Sequence, residues 1–305
     1  FMPRVFSFRK ALTCLTAVAS SFFISTLHAA LVDIKEQDEV VYALYSAPNK
    51  IVRYDLKQER FLSEISLTSY PSAFEIDASH IYVGLDREIR RMTLSGTSNT
   101  FVRNAGSTVT DMTSVGKYLF AREEEDSVLS IDKDDLSLVE RHDALTPGSS
   151  YIGSEIQSAY YYRTVIQGPA DIYKVSINAD GTTESEDDSP YHGDYPDAAN
   201  LFMNSSESKV FDDAGIVYLT DTLEYAGSLS GVAHLMTFKD DNPIILRDDE
   251  VIVFDQNLIE QGRISSVAGA NFLSEYGDIV FLFQSTDVST LNVTKYDISK
   301  YELPQ

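Results

Sequence analysis

A short sequence pattern recurs seven times along the chain and constrains its fold more than any other feature. Each copy is an apolar residue, two residues of any type, a second apolar residue, and then Asp, Ser or Thr. A period of about 40 residues indicates an array of one repeated supersecondary unit. The copies are 35 to 44 residues apart and begin at Ile51, Ile89, Val128, Ile172, Ile216, Val251 and Val293.

The residues around each copy predict four short strands. A run rich in Val, Ile, Tyr and Phe, such as Val40–Tyr45, usually precedes the pattern, and these residue types favour strands. Polar turn formers separate the run from the pattern, which predicts a hairpin. The Asp, Ser or Thr that ends the pattern can start the next turn. Two further segments, such as Phe61–Leu67 and Ala73–Asp77, complete each unit.

Four strands in about 40 residues form one blade of a propeller. We therefore predict an all-β chain, a seven-bladed β-propeller with four short antiparallel strands per blade, formed by residues 31–305 as one domain. A ring of blades must close, and Leu31–Gln37 is the predicted strand that the N-terminus lends to the last blade. The alternative is that the chain is the first part of a longer protein. Residues 184–200 are too polar for a strand and predict a long loop.

The N-terminal segment, residues 1–30, predicts a cleaved signal peptide. Basic residues are followed by an uncharged stretch from Ala11 to Leu27 and then by His28, Ala29 and Ala30, which suits a signal peptidase. A membrane anchor is the main alternative, but a span needs about 20 mostly apolar residues. A lipoprotein acylated at Cys14 is a further alternative. The signal peptide predicts a periplasmic or extracellular protein. We also predict that it has no disulfide, because Cys14 is the only cysteine.

The chain is strongly acidic, with 47 Asp and Glu against 24 Lys and Arg. Residues 1–30 contain three basic residues and no acidic one, so residues 31–305 carry a net charge of about −26. This charge excludes nucleic acid as a partner, because nucleic-acid binding needs a basic surface. It favours solubility, or alternatively the attraction of cations or of a basic partner. We predict a monomer whose mature chain does not insert into a membrane.

The strand pattern resembles the bacterial seven-bladed propellers with YVTN-type repeats. The segments that carry this resemblance are Val41–Ala43, Ile81–Val83, Tyr54–Asp55 and Phe254–Asp255. It extends from residue 31 to about residue 300, although the family's typical Pro-Asp-Gly turn is absent. The family includes lactonase-like enzymes and surface proteins, so the resemblance implies a fold more than a function. The chain has no Trp, which argues against the tryptophan-docked blades of quinoprotein dehydrogenases and against WD40 repeats.

No catalytic motif stands out, and the candidate metal ligands are few. The histidines after residue 30 are His80, His142, His192 and His234, and none forms a recognised zinc motif. No cofactor is predicted; a calcium site is the one possibility that the acidic turns raise, because calcium takes six to eight oxygen ligands. The long loop offers the best candidates, which could converge beside Tyr191 and Tyr195: Asp187, Asp188, Asp194 and Asp197.

Two functional hypotheses of different classes follow. The first is a binding or protein-interaction module for an unknown protein or small-molecule ligand, because a complete scaffold is present without a recognisable catalytic set. The second is a lactonase-like hydrolase or a lyase that uses a cation held by carboxylates. A structural module of a larger surface protein is a third alternative.

Overall fold

The computed structural model describes residues 30–125, 127–144, 148–164, 171–267, 269–287, 290–301 and 303. These residues form seven antiparallel sheets, which follow one another along the chain. No helix occurs in the described ranges, and hence none that is long and apolar enough to span a bilayer. The predicted all-β, seven-bladed β-propeller is confirmed.

Each blade is a meander whose first strand is innermost and whose last strand is outermost. Blade 1 contains β1 (Ala30–Gln37), β2 (Val40–Ser46), β3 (Lys50–Asp55), β4 (Arg60–Phe61) and β5 (Ile65–Ser66). Blade 2 contains β6 (Pro71–Ile76), β7 (His80–Leu85), β8 (Glu88–Thr93) and β9 (Asn99–Asn104). Blade 3 contains β10 (Val109–Val115), β11 (Tyr118–Glu123), β12 (Ser127–Asp132) and β13 (Leu138–Asp143).

The remaining four blades continue the same order. Blade 4 contains β14 (Gly148–Ser154), β15 (Ala159–Thr164), β16 (Ile172–Ile177) and β17 (Thr183–Asp188). Blade 5 contains β18 (Leu201–Met203), β19 (Lys209–Asp212), β20 (Ile216–Leu219) and β21 (Tyr225–Ser228). Blade 6 contains β22 (Leu235–Lys239), β23 (Asn242–Arg247), β24 (Glu250–Phe254) and β25 (Glu260–Ser265). Blade 7 contains β26 (Phe272–Tyr276), β27 (Ile279–Asp287) and β28 (Thr290–Asp297).

All seven copies of the sequence pattern lie on the third strand of a blade, from β3 in blade 1 to β28 in blade 7. The Val, Ile, Tyr and Phe runs form the second strands. These strands are packed between neighbouring blades, so both of their faces are buried. In β15, for example, Tyr160 and Tyr162 pack towards blade 3, whereas Tyr161 packs towards blade 5. Alternating side chains of one strand therefore join three blades.

Closure of the ring differs from the prediction. The segment Leu31–Gln37 lies in β1, which pairs with β2 as the innermost strand of blade 1, and is not lent to the last blade. Its charged residues Asp33, Lys35 and Glu36 suit a strand that borders a channel. Blade 7 has three strands within the described residues. The chain after β28 turns towards blade 6, where the Tyr301 hydroxyl donates to the Arg263 carbonyl over 2.7 Å.

The prediction of a loop from residue 184 is also wrong at its start. Residues 184–188 belong to β17, which pairs with β16 along the outer edge of blade 4. An outermost strand has one face in solvent, so a strand can form there although its side chains are charged. The predicted loop is correct for the residues between β17 and β18. The predicted signal peptide, residues 1–30, lies outside the described residues except for Ala30 and stays a prediction.

Candidate functional site

The innermost strands of all seven blades surround a central channel. Its cavity has a volume of about 730 Å³ and is lined by β1, β6, β10, β14, β18, β22 and β26 with adjoining residues. The backbones of neighbouring inner strands approach closely at Gly153, where a Cβ atom would lie 2.0 Å from the Ser114 carbonyl oxygen. A cavity of this size and position matches the concave sites that bind small molecules.

Strand β1 contributes charged side chains to the channel in two directions. Successive side chains of a strand point to opposite faces, so Asp33 and Lys35 face blade 2, whereas Ile34 and Glu36 face blade 7. We call the group Asp33, Lys35, Glu75 and Asp111 the Lys35 cluster. We call the group Glu36, Ser274 and Glu275 the Glu36 cluster.

In the Lys35 cluster, one ammonium lies among three carboxyl groups and partly compensates their charge. The Lys35 ammonium donates to Glu75 Oε2 over 2.6 Å and to the Met112 carbonyl over 2.8 Å. It therefore connects the inner strands of blades 1, 2 and 3. The Asp111 carboxylate accepts from the amides of Met112 at 2.8 Å and Tyr151 at 3.0 Å.

Burial shapes the protonation of this cluster. Burial disfavours the charged form of Lys35. The negative charges of Glu75, Asp33 and Asp111 outweigh this effect and raise the pKa of the ammonium above its usual value. Burial raises the pKa of Asp33 to about 6, against the opposing effect of Lys35. It also raises the pKa of Asp111, against Lys35 and two backbone amides. Lys35 thus stays charged, and its carboxylates supply the countercharge.

In the Glu36 cluster, two carboxyl groups act on each other electrostatically from opposite faces of β26. The Ser274 hydroxyl donates to Glu36 Oε2 in a short hydrogen bond. Oε2 of Glu275, the next residue on β26, is buried and has no hydrogen-bond partner among the described residues. The cation that acts on Glu275, Lys239, forms an ion pair with Asp278.

The Glu36 cluster is correspondingly easy to protonate. Burial raises the pKa of Glu275 to about 7, against Lys239 and with a further contribution from Glu36. Burial also raises the pKa of Glu36, against the Ser274 hydrogen bond. A buried carboxylate without enough donors is stabilised by a proton or by a cation.

Part of the channel wall beside this cluster is apolar. The side chains that line it include the three phenylalanines Phe202, Phe238 and Phe272 and the methionines Met203 and Met236. The phenylalanines and Met203 are half-buried, so part of each remains accessible. Aromatic faces attract organic cations. The wall therefore offers an apolar surface next to carboxylates.

The histidines are spread over the molecule. Of the described histidines, His234 lines the channel, and its Nε2 lies 3.6 Å from Asp248 Oδ1. His80 begins β7, and His142 Nε2 lies 3.1 Å from Glu186 Oε2. His192 is in the loop after β17, where its Nδ1 lies 3.1 Å from Asp171 Oδ2. That hydrogen bond is the main cause of the raised pKa of His192.

The four predicted metal ligands lie at or after the end of β17 and are exposed. Asp188 is brought into a cluster with Asp171 and His192, whose ligand atoms lie within 4.8 Å of one another. Asp187, Asp194 and Asp197 are not members of that cluster. Asp187 accepts from the Ser185 hydroxyl over 2.8 Å.

Comparison with solved structures agrees with the fold. A computationally designed protein, Ika8, is 14% identical with a TM-score of 0.61, covering 88% of this chain and 83% of Ika8. Hydrazine synthase of Kuenenia stuttgartiensis is 11% identical with a TM-score of 0.64, covering 93% and 99% of the two chains. A chain of the mitotic checkpoint complex is 9% identical with a TM-score of 0.63, covering 95% and 98%. Such low identities show the fold alone. No protein-family model and no curated protein sequence matches the chain.

Sequence reasoning did not find the channel clusters. Lys35 and Glu75 are 40 residues apart and meet through the packing of blades 1 and 2. Glu36 and Ser274 are 238 residues apart and meet only because the ring closes. One signal was available, namely the charged residues of β1, which are unusual in a segment expected to pack into a blade.

Proposed function

We propose that the chain is an exported binding module that holds a small organic cation in its central channel. The observation that carries this proposal is the Glu36 cluster, where Glu36 lines the channel and Glu275, on the opposite face of β26, interacts with it electrostatically. An ammonium group placed there would supply the missing charge. The export signal, the monomeric state and membership of the YVTN-type family are parts of the same proposal.

The apolar wall indicates what else the ligand carries. Phe202, Phe238 and Phe272 line the channel that Glu36 also lines. A ligand that combines an ammonium with an aromatic or aliphatic body would use both parts of the site. An anionic ligand would meet carboxylates and a lysine whose charge is already compensated by Glu75.

Calorimetric titration with three probes of similar shape tests the proposal. Phenethylamine carries an ammonium, 3-phenylpropanol is neutral, and 3-phenylpropionate carries a carboxylate. We expect phenethylamine to bind at pH 8 with a Kd below about 1 mM, and the other two to bind at least tenfold more weakly. Glu36→Gln should weaken phenethylamine binding about tenfold. Glu184→Gln, the same change on the outer strand β17, should leave it unchanged.

The proposal fails if the three probes bind alike, or if Glu184→Gln weakens binding as much as Glu36→Gln. Equal effects would mean that the overall negative charge, and not the channel, attracts the amine. Thermal unfolding of each variant without ligand checks that the variant is folded.

A hydrolase or lyase is the second candidate, and the raised pKa of Glu275 favours it. A group with a pKa near the working pH is suited to general acid or base catalysis, and Glu275 has a pKa of about 7. A screen of lactone and ester substrates at pH 7 tests this reading. Turnover that Glu275→Gln abolishes in a folded variant would support it over the binding module.

A further inference from the structure

A second charged cluster lies away from the channel, at the edge of blade 4. Asp171 immediately precedes β16, Asp188 ends β17, and His192 follows in the loop that leads to blade 5. One ligand atom from each residue lies within 4.8 Å of the others. The cluster is separate from the Lys35 and Glu36 clusters and has no part in the proposed cation site.

The hairpin of β16 and β17 fixes the two carboxylates. Tyr173 on β16 is opposite Asp188 on β17, so Asp171, two residues before Tyr173, lies at the same end of the sheet as Asp188. Hydrogen bonds between the amide and carbonyl of Asp171 and Thr164 of β15 hold that end of β16 in place.

Two tyrosines fix the loop that carries His192. The Tyr191 hydroxyl accepts a hydrogen bond from the Tyr225 amide over 3.0 Å. The Tyr195 ring stacks on the Tyr225 ring, with centroids 5.3 Å apart and an interplanar angle of 12°. His192 therefore lies between two side chains that are anchored to blade 5, and its position over Asp171 and Asp188 is set before any ligand arrives.

The three residues are near enough together to share a metal ion after a side-chain rotation. His192 Nδ1 lies 3.1 Å from Asp171 Oδ2, and His192 Nε2 lies 3.9 Å from Asp188 Oδ2. Ligand atoms about 2.0 Å from a tetrahedral zinc ion are about 3.3 Å apart. Because the two aspartates face different ring nitrogens, one of them must rotate before all three residues can bind the same ion.

The environment also favours a cation. The Asp171 side chain is only 12% exposed, whereas those of Asp188 and His192 are 47% and 59% exposed. A largely buried carboxylate is therefore joined to solvent-accessible partners, which leaves an entry path for an ion. Asp194 also acts electrostatically on His192, which adds a third negative charge.

We propose that Asp171, Asp188 and His192 bind a divalent transition-metal ion, with Zn²⁺ as the best match. A set of one imidazole nitrogen and two carboxylate oxygens is a set that zinc accepts. Calcium prefers six to eight oxygens and no nitrogen, so the set disfavours calcium. Three protein ligands leave a fourth position for water or for a group from a bound molecule.

The test uses the full mature protein, treated with a chelator, dialysed, and titrated with ZnCl₂ by calorimetry. We expect one equivalent of Zn²⁺ to bind with a Kd of about 10 μM or tighter. Co²⁺ in place of Zn²⁺ should give visible absorption bands of a low-coordinate site. CaCl₂ should give no comparable heat.

Four variants decide whether these residues are the ligands. His192→Gln and Asp171→Asn should each weaken Zn²⁺ binding at least tenfold. His234→Gln removes an equally exposed histidine that faces one aspartate, Asp248, at 3.6 Å, and should bind Zn²⁺ as the wild type does. Asp187→Asn, next to the cluster, should also be unchanged.

Unchanged Zn²⁺ affinity in a folded His192→Gln variant would overturn the proposal, as would the absence of Zn²⁺ binding below 1 mM. Binding of several equivalents that no single variant affects would show general attraction by the acidic surface, and would overturn it too. Thermal unfolding of the variants in chelator confirms that each is folded before titration.

Discussion

The carboxylates on the two faces of β1 differ in whether a cation is bonded to them. Towards blade 2, Lys35 is bonded to Glu75 and is near Asp33 and Asp111, so the charges stabilise one another. Towards blade 7, Glu36 accepts from the Ser274 hydroxyl and forms no ion pair among the described residues. The Lys35 cluster therefore has a structural role, whereas the Glu36 cluster retains a charge that a ligand can satisfy.

The largest expected effect is on the Lys35 cluster. Glu75→Gln removes the main partner of a half-buried ammonium and should lower the free energy of unfolding by roughly 2–3 kcal/mol at pH 7. Urea unfolding followed by circular dichroism measures this change. A loss below about 0.5 kcal/mol would show that Lys35 is not held by Glu75 and would remove the contrast between the two faces.

Removal of a carboxyl group from the Glu36 cluster should change the free energy of unfolding in the opposite direction. The pKa of Glu275 is raised from 4.5 to about 7 on folding, so its favourable contribution is complete below pH 4.5 and is lost as the pH rises through 7. Glu275→Gln should therefore stabilise the protein at pH 8 by roughly 1–2 kcal/mol, after allowance for solvent screening. At pH 4.5 the variant and the wild type should have nearly equal stability.

Thermal unfolding of both proteins at the two pH values measures this difference. A variant that is destabilised at pH 8 would mean that Glu275 is paired in the folded protein. The proposed difference between the two faces of β1 would then be wrong for the Glu36 cluster.

A smaller effect is expected from the hydroxyl that supports Glu36. Ser274→Ala removes the hydroxyl that donates to Glu36 and should cost about 1 kcal/mol at pH 8. Below the pKa of Glu36 the cost should be smaller, because a protonated carboxyl depends less on a donated hydrogen bond than a carboxylate does. Guanidinium unfolding at pH 8 and pH 4.5 measures both values, and an equal cost at both would contradict the role given to the hydroxyl.

The strands were predictable because their signal is local. The repeated pattern and its spacing locate the third strand of every blade, and the apolar runs locate the second strands. The order of strands at the ends of the chain was not predictable, since Leu31–Gln37 can pair with β2 or with the last blade without any change in sequence. β17 was missed because the polarity of an outer strand is the same as that of a loop.

The sites were less predictable because they depend on register and ring closure. Asp188 and His192 are four residues apart, a spacing that the sequence displays, but Asp171 joins them only through the pairing of β16 with β17. The contacts from Lys35 to Glu75 and from Glu36 to Ser274 cross between blades. No local pattern in one sequence records such contacts.

The most direct test of the central claim is the pH dependence of phenethylamine binding, measured by calorimetry between pH 5.5 and pH 8. The ammonium of the probe stays charged over this range, so changes in affinity report on the protein. Because Glu275 has a pKa of about 7, loses its proton over this range and interacts electrostatically with Glu36, we predict that the Kd becomes about tenfold smaller at pH 8. A Kd that is constant, or smaller at pH 5.5, would contradict a cation site at the Glu36 cluster.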